Sequence, residues 1–143
     1  MQVRDLMNPS VVSITPGESA ALAARLLSRH NVGSLPVCGE DGRLRGIVTD
    51  RDIVTRCLAA GKSPEDTSVK EVMTNRVYVA RPDMDVSLAA CLMGGEQIRR
   101  LPVMENGKLC GMVSLGDLAE REESSIEAGD ALTEISSHLS RRG

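Results

Sequence analysis

Two short blocks stand out for their chemistry, Thr49-Asp50-Arg51-Asp52 and Ser114-Leu115-Gly116-Asp117. Each puts a hydroxyl three residues before a carboxylate, after an apolar run that starts with a glycine, Gly46 or Gly111. A carboxylate in the first turn of a helix can accept hydrogen bonds from both hydroxyls of a vicinal diol, as an acidic residue does when it reads a ribose in dinucleotide folds. The hydroxyls of Thr49 and Ser114, with the free N–H groups of a helix start, suit a phosphate or another polar group. Gly46 and Gly111 allow something to approach the backbone closely. The same spacing is also that of a capping box, with Asp in place of Glu or Gln, and a cap requires no ligand. Both readings stand at this level.

Basic residues are distributed unevenly around the blocks. Arg99-Arg100 directly precedes Leu101-Pro102-Val103, where the earlier counterpart of this run has Gly33-Ser34. Guanidinium groups present a planar fork of donors that matches phosphate oxygens. Arg51 lies inside the first block, where the second has Gly116, and can bring positive charge to a ligand or pair with Asp50. On these grounds the Thr49/Asp52 block is expected to be the better equipped of the two, while the block that Arg99 and Arg100 serve is left open.

The elements that must position these groups form an internal repeat. Val3, Met7, Pro16, Leu22 and Leu35-Pro36-Val37 recur 66 residues later as Val69, Met73, Pro82, Leu88 and Leu101-Pro102-Val103. After one residue is lost in a turn, Gly42, Gly46, Val48 and Asp52 recur 65 residues later. Each copy reads β-α-β-β-α. A β-prone run, Val11–Thr15 or Val77–Arg81, stops at or beside a proline. A helix follows, capped by Ser19 in one copy and by Asp83 or Asp85 in the other, with apolar positions at helical spacing. Two strands then flank a tight turn, Glu40-Asp41-Gly42 or Glu105-Asn106-Gly107, and Asn-Gly is a strong hairpin signal. A last helix opens at Thr49 or Ser114. Gly61-Lys62-Ser63-Pro64 ends the first copy, and Ser68 with Glu71 reads as a capping box opening the second. The expected division is 1–62, 63–121 and a polar tail, 122–143, read as an amphipathic helix with Leu132, Ile135 and Leu139 on one face.

Composition narrows the function classes. Of 143 residues, 41% are hydrophobic and 26% charged, yet there is one Tyr and no Phe or Trp. The core must be aliphatic, and base stacking on exposed rings is disfavoured. A net charge of −3 speaks against a phosphate-backbone binder, so nucleic acid is not an expected partner. No apolar run suits a membrane span or a signal peptide, and a cytoplasmic chain is expected. Cys38, Cys57, Cys91 and Cys110 form no CxxC pair, and with only two histidines, His30 and His138, no metal site is expected. No nucleophile–base–orienter motif, HExxH, P-loop or GxGxxG is present, so the chain is not expected to be an enzyme. Redox sensing through Cys91 or Cys57 would need an exposed, low-pKa thiol.

The chain resembles a tandem pair of CBS (cystathionine β-synthase) domains, a Bateman module. The resemblance rests on VRDLM and VKEVM, the proline after each first β-run, SLPV and RLPV, and the blocks GIVTDRD and GMVSLGD, and it covers about residues 2–120. It implies an α/β (α+β) fold of two pseudo-symmetric β-α-β-β-α repeats packed through their sheets. It implies clefts that hold AMP, ADP, ATP or S-adenosylmethionine as a regulatory ligand, with no cofactor required. In such pockets a basic residue at the position of Arg99 and Arg100 often reaches the phosphates. Adenine is held by the first strands, here near Val11, Val12, Val77 and Tyr78 with Val32 and Ile98 as further lining, all equally good core residues. The ligand-binding expectation is thus Thr49, Arg51, Asp52, Ser114, Asp117, Arg99, Arg100, Val12 and Tyr78. The family also implies a homodimer formed through the helices, and a free-standing pair is expected to act on an unidentified effector protein or to serve as a buffer or sensor alone. The alternative is a ligand-free dimerisation or interaction scaffold.

Overall fold

The structure is a computed structural model, and it describes residues 1–119 and 129–135. The chain divides into two compact units. The first-repeat unit holds Val12–Val77 with Gly107–Leu109, and the second-repeat unit holds Met1–Val11, Tyr78–Asn106 and the described residues from Cys110. The compact units and the sequence repeats therefore divide the chain differently, because the segment that opens each repeat is built into the other repeat's unit.

In the first-repeat unit, α1 (Ala20–His30) starts at Ser19, whose Oγ accepts from the Leu22 N–H at 3.1 Å. It ends at Asn31, in the left-handed region at φ 52°. The strands β1 (Ser34–Cys38) and β2 (Leu44–Thr49) pair antiparallel, with Ser34 opposite Thr49 and Val37 opposite Gly46. α2 (Asp50–Ile53) follows directly and widens into a π-helical turn, Val54–Leu58. α3 (Val69–Val72) completes the unit. Its N-terminal N–H groups, on Val69 and Lys70, donate to the carbonyls of Glu18 (2.8 Å) and Pro16 (3.0 Å). The core is Ile14, Leu27, Leu35, Val37, Val48, Ile53, Val69 and Val72 with the smaller Ala20, Ala23 and Cys57.

The second-repeat unit repeats this plan. α4 (Val86–Glu96) is capped by Asp85, which accepts from the Ser87 N–H at 2.9 Å. The strands β3 (Arg100–Glu105) and β4 (Lys108–Ser114) pair across Asn106 and Gly107, both at positive φ (53° and 78°), as an Asn-Gly hairpin turn requires. α5 (Leu115–Ala119) follows. Here the N-terminal turn at Val3–Asp5 takes the place of α3: Val3 and Arg4 donate to the carbonyls of Met84 (2.8 Å) and Pro82 (2.9 Å). Residues 129–135 are helical, and Ala131 and Ile135 enter the core beside Ala90, Met93 and Leu118.

The hairpins, caps and helix starts agree with the sequence reading, and two details differ from it. The β-prone runs reduce to single parallel bridges, Ile14 to Val37 and Ala80 to Val103, because Pro16 and Pro82 follow within two residues and stop the ladder. Of the tail positions, Leu132 is 44% exposed while Ala131 and Ile135, four apart, are buried. The buried face is set by the close approach to α4, which Gly94 allows: a Cβ there would lie 3.1 Å from the Ala131 Cα. Leu139 lies outside the described residues. The thiols of Cys38 and Cys57 are buried, Cys110 is half-buried and Cys91 is exposed. Burial, then the charge of Asp41, pushes the Cys38 thiol up; burial, then Glu105, does the same for Cys110.

Glycine chemistry explains how the opening segments dock. Ile47 and Thr74 exchange both backbone hydrogen bonds (2.9 and 2.8 Å), as do Met112 and Asn8 (3.0 and 2.8 Å). A Cβ on the adjacent Gly46 would fall 2.6 Å from the Thr74 carbonyl oxygen; on Gly111 it would fall 2.8 Å from the Met7 sulfur. The close approach expected at these glycines is therefore an approach of the chain itself. Backbone cannot yield as a thioether can. Gly46→Ala should cost about 1–3 kcal/mol, and Gly111→Ala distinctly less, as read by urea unfolding of the two variants.

Glu71 and Asp85 predict the acid response. Hydrogen bonds from the Ser68 N–H and hydroxyl hold Glu71 below its ordinary 4.5, and the Ser87 hydroxyl and N–H hold Asp85 below 3.8. Folded values that are depressed give stability that is present above the ordinary pKa and lost as the pH falls through the folded value. The melting midpoint should fall on acidification through that range, and less steeply in a Glu71→Gln, Asp85→Asn variant.

Candidate functional site

Both Thr/Ser-x-x-Asp blocks lie where a strand runs into a helix. Thr49 ends β2 in extended geometry and caps α2. Its Oγ1 accepts from the Asp52 N–H at 3.0 Å, and the Asp52 Oδ2 accepts from the Thr49 N–H at 3.0 Å. Ser114 and Asp117 make the same exchange at 3.1 and 2.8 Å. The capping box is thus present twice and complete twice. It leaves one carboxylate oxygen on each aspartate for other work.

The two spare oxygens have different surroundings. Asp52 is 8% exposed. The Thr74 hydroxyl stands 3.4 and 3.5 Å from its two oxygens, and Arg56 Nη1 is 3.8 Å from Oδ1. Arg56 is held in turn, donating from Nη1 to the carbonyls of Val72 (3.1 Å) and Met73 (3.0 Å). Asp52 thereby joins α2 to the docked 72–74 segment. Asp117 is half-buried, and its Oδ1 has no hydrogen-bond partner among the described residues. The repeat counterpart of Thr74 is Asn8, whose Oδ1 accepts instead from the Ser10 N–H at 3.0 Å.

The other expected residues sort between the units. Arg99 and Arg100 belong to the unit of Ser114 and Asp117, and the Leu115 N–H donates to the Arg99 carbonyl at 2.9 Å, tying the arginine pair to the start of α5. Arg99 is exposed; Arg100, the first residue of β3, is half-buried. In the first-repeat unit the matching bond runs from the Asp50 N–H to the Gly33 carbonyl (3.1 Å). Arg51 is exposed, and Asp50 accepts from its backbone N–H (2.7 Å) rather than from its guanidinium. Val12 and Val32 are half-buried against one core, Tyr78 and Ile98 against the other, so each packs as a core residue.

Thr74 and Arg56 are partners of Asp52 that sequence reasoning missed. Thr74 aligns with Asn8 and is a repeat position without a motif, and only the docking of the 67–74 segment brings it to α2. Ser34 Oγ, opposite Thr49 in the strand register, is buried without a hydrogen-bond partner among the described residues. Among those residues no cluster of three or more His, Cys, Asp or Glu side chains could hold a metal ion, and no helix is long and apolar enough to cross a membrane.

Comparison with known proteins agrees with this architecture. The CBS-domain family pattern matches twice, over residues 3–59 and 69–124. The chain is 43% identical over 134 residues to the CBS domain-containing protein YhcV of Bacillus subtilis, covering 94% of each chain. It is 36% identical to hypoxic response protein 1 of Mycobacterium tuberculosis, covering 81% of each. Among solved structures, Hypoxic Response Protein I with two coordinated zinc ions superposes with a TM-score of 0.79 at 35% identity, covering 85% of this chain and 98% of that one. The CBS domain pair of protein MJ0100, in complex with 5′-methylthioadenosine and S-adenosyl-L-methionine, gives 0.76 at 30% identity, covering 84% and 98%.

The caps can be tested without any ligand. Thr49→Ala and Ser114→Ala should each lower stability by about 1 kcal/mol, the usual cost of a lost N-cap, in chemical unfolding of the purified chain.

Proposed function

The chain belongs to the CBS-domain family, and from that premise we propose that it is a regulatory module that senses an adenosine-type ligand and is not itself a catalyst. The observation that carries the reading is the Asp117 carboxylate. One oxygen is fixed by the cap, the other is without a partner among the described residues, and two arginines sit on the same unit. A ribose diol suits the spare oxygen, and a phosphate or another anionic group suits Arg100 and Arg99. A chemical precedent is the similar domain pair that holds S-adenosyl-L-methionine and 5′-methylthioadenosine.

In this reading the second-repeat unit carries the stronger half-site. That reverses the expectation from Arg51, whose guanidinium makes no ion pair among the described residues, while Asp52 is engaged by Thr74 and Arg56. The first-repeat unit contributes Thr49, Asp52 and the unsatisfied Ser34 hydroxyl as a weaker site. Val12 and Tyr78 are proposed to line the adenine positions. Ligand shifts the population between two arrangements of the chain, and a cytoplasmic effector protein reads the outcome. The chain self-associates as a homodimer through its helices.

The second reading, a ligand-free scaffold, has its own support: each Thr/Ser-x-x-Asp block spends its hydroxyl and one carboxylate oxygen on its own helix start.

Thermal unfolding with AMP, ADP, ATP, S-adenosylmethionine and guanine nucleotides separates the two. A ligand at a hundred times its Kd adds about 2.7 kcal/mol, a rise of several degrees in Tm for a chain of this size. Adenosine compounds should raise Tm, Asp117→Ala should abolish the rise and Asp52→Ala should reduce it less. A rise lost in Asp52→Ala and kept in Asp117→Ala overturns the assignment of the half-site. No rise with any compound supports the scaffold.

A further inference from the structure

Each glycine that admits an opening segment is also met by a sulfur atom. At Gly46 the side-chain atom nearest the position a Cβ would take is the Met73 sulfur, 3.1 Å away. At Gly111 it is the Met7 sulfur, at 2.8 Å. Met7 and Met73 are repeat counterparts, and each packs against the core of its unit. An unbranched, polarizable thioether fits well against bare backbone. Each sulfur is thus wedged beside the ladder that holds its segment, Ile47 with Thr74 or Met112 with Asn8.

Peroxides convert methionine from an apolar side chain into a polar one. Met7 and Met73 are half-buried, which leaves them open to a small oxidant, whereas Met93 is fully buried. Of the seven methionines, Met73 is the one that belongs to the first-repeat unit. A sulfoxide oxygen is an acceptor in search of a donor. The polar atom nearest the Gly46 contact is the Thr74 carbonyl oxygen, at 2.6 Å; at Gly111 it is the Asn8 carbonyl oxygen, at 3.2 Å. Both can accept and neither can donate. An acceptor confined there without a partner is costly, and moving the segment out to water relieves it.

We infer that Met73 and Met7 are peroxide-modification sites, and that sulfoxidation of either one lifts its docked segment off the glycine. Hydrogen peroxide transfers one oxygen atom to the sulfur: an S–O bond forms, the O–O bond breaks, the sulfur is oxidised by two electrons and water leaves. A methionine sulfoxide reductase reverses the step with two thiols, which end as a disulfide while the oxygen departs as water. In the first-repeat unit, lifting the segment withdraws the Thr74 hydroxyl and the Val72 and Met73 carbonyls that anchor Arg56, so Asp52 loses both partners. The second-repeat unit lacks this consequence, because Asn8 is turned toward Ser10. No bound nucleotide is needed for any of these steps.

Site-resolved mass spectrometry combined with amide hydrogen exchange on the peroxide-treated full chain tests this. Met73 and Met7 should each take up one oxygen while Met93 stays reduced. With Met73 oxidised, the Ile47 and Thr74 amides should exchange roughly tenfold faster or more, and Met7 oxidation should do the same for Asn8 and Met112. The Asp52 carboxyl resonance should move with the Met73 sulfoxide, and sulfoxide reductase should restore every signal. Met73→Leu, close in volume, should keep slow exchange at Ile47 and Thr74 under the same peroxide while Asn8 and Met112 still speed up. In the native chain the fast-exchanging fraction at Thr74 should equal the fraction oxidised at Met73, a comparison that serves even where the leucine variant does not fold. Met73 left reduced while Met84 and Met104 are oxidised, unchanged exchange with Met73 fully oxidised, or equal acceleration in Met73→Leu overturns the proposal. An Asp52 resonance that stays in place while Ile47 and Thr74 speed up overturns the link to Asp52.

Discussion

Everything else in this chain depends on backbone meeting backbone at two glycines. At Gly46 and Gly111 the absence of a side chain lets residues 73–74 and 7–8 lie against a strand and exchange paired hydrogen bonds with Ile47 and Met112. A two-stranded sheet is marginal by itself. The docked segment supplies a third backbone partner on one side, and the bridge from Ile14 or Ala80 supplies another. The segment also carries Val69 and Val72, or Val3, into the core. Each unit is therefore built with the chain that opens the other repeat, and the compact units are not the repeats as the sequence is written.

The same docking decides how the two aspartates differ. Each is held by an equivalent capping box, so the helix start is built from the chain's own groups. The difference comes from what the docked segment delivers: a threonine hydroxyl and, through the carbonyls of Val72 and Met73, the anchoring of Arg56 on one side; an asparagine turned toward its own backbone on the other. A carboxylate already surrounded by donors gains less from a ribose than one with an oxygen to spare. In the proposed reading the two repeats take separate roles, one structural and one sensory, with the hydroxyl and the aspartate of the motif kept in both.

Much of this was legible in the residues. The 66- and 65-residue offsets disclosed the repeat, and Ser19, Asp85, Ser68 with Glu71, and Asn106-Gly107 marked caps and a turn through local chemistry that works over three or four residues. What could not be read was non-local. The offset assigns residues 3–8 to the first copy and 69–74 to the second, and nothing in those residues says that they cross over. For the same reason Thr74 carried no signal as a partner of Asp52. The tail was misjudged in detail because Leu132 outranks Ala131 in hydrophobicity. Packing against Gly94 rewards the smaller residue, since only a small side chain permits that approach.

The central claim is that the second-repeat unit carries the sensing half-site. Amide chemical-shift mapping of the labelled chain, titrated with the adenosine compound that binds best, tests it most directly. The account predicts that the largest, saturable shifts fall on Arg99, Arg100 and Ser114 to Asp117, with smaller shifts at Thr49 to Asp52. Saturation that leaves the amides of 99–100 and 114–117 where they were would contradict it.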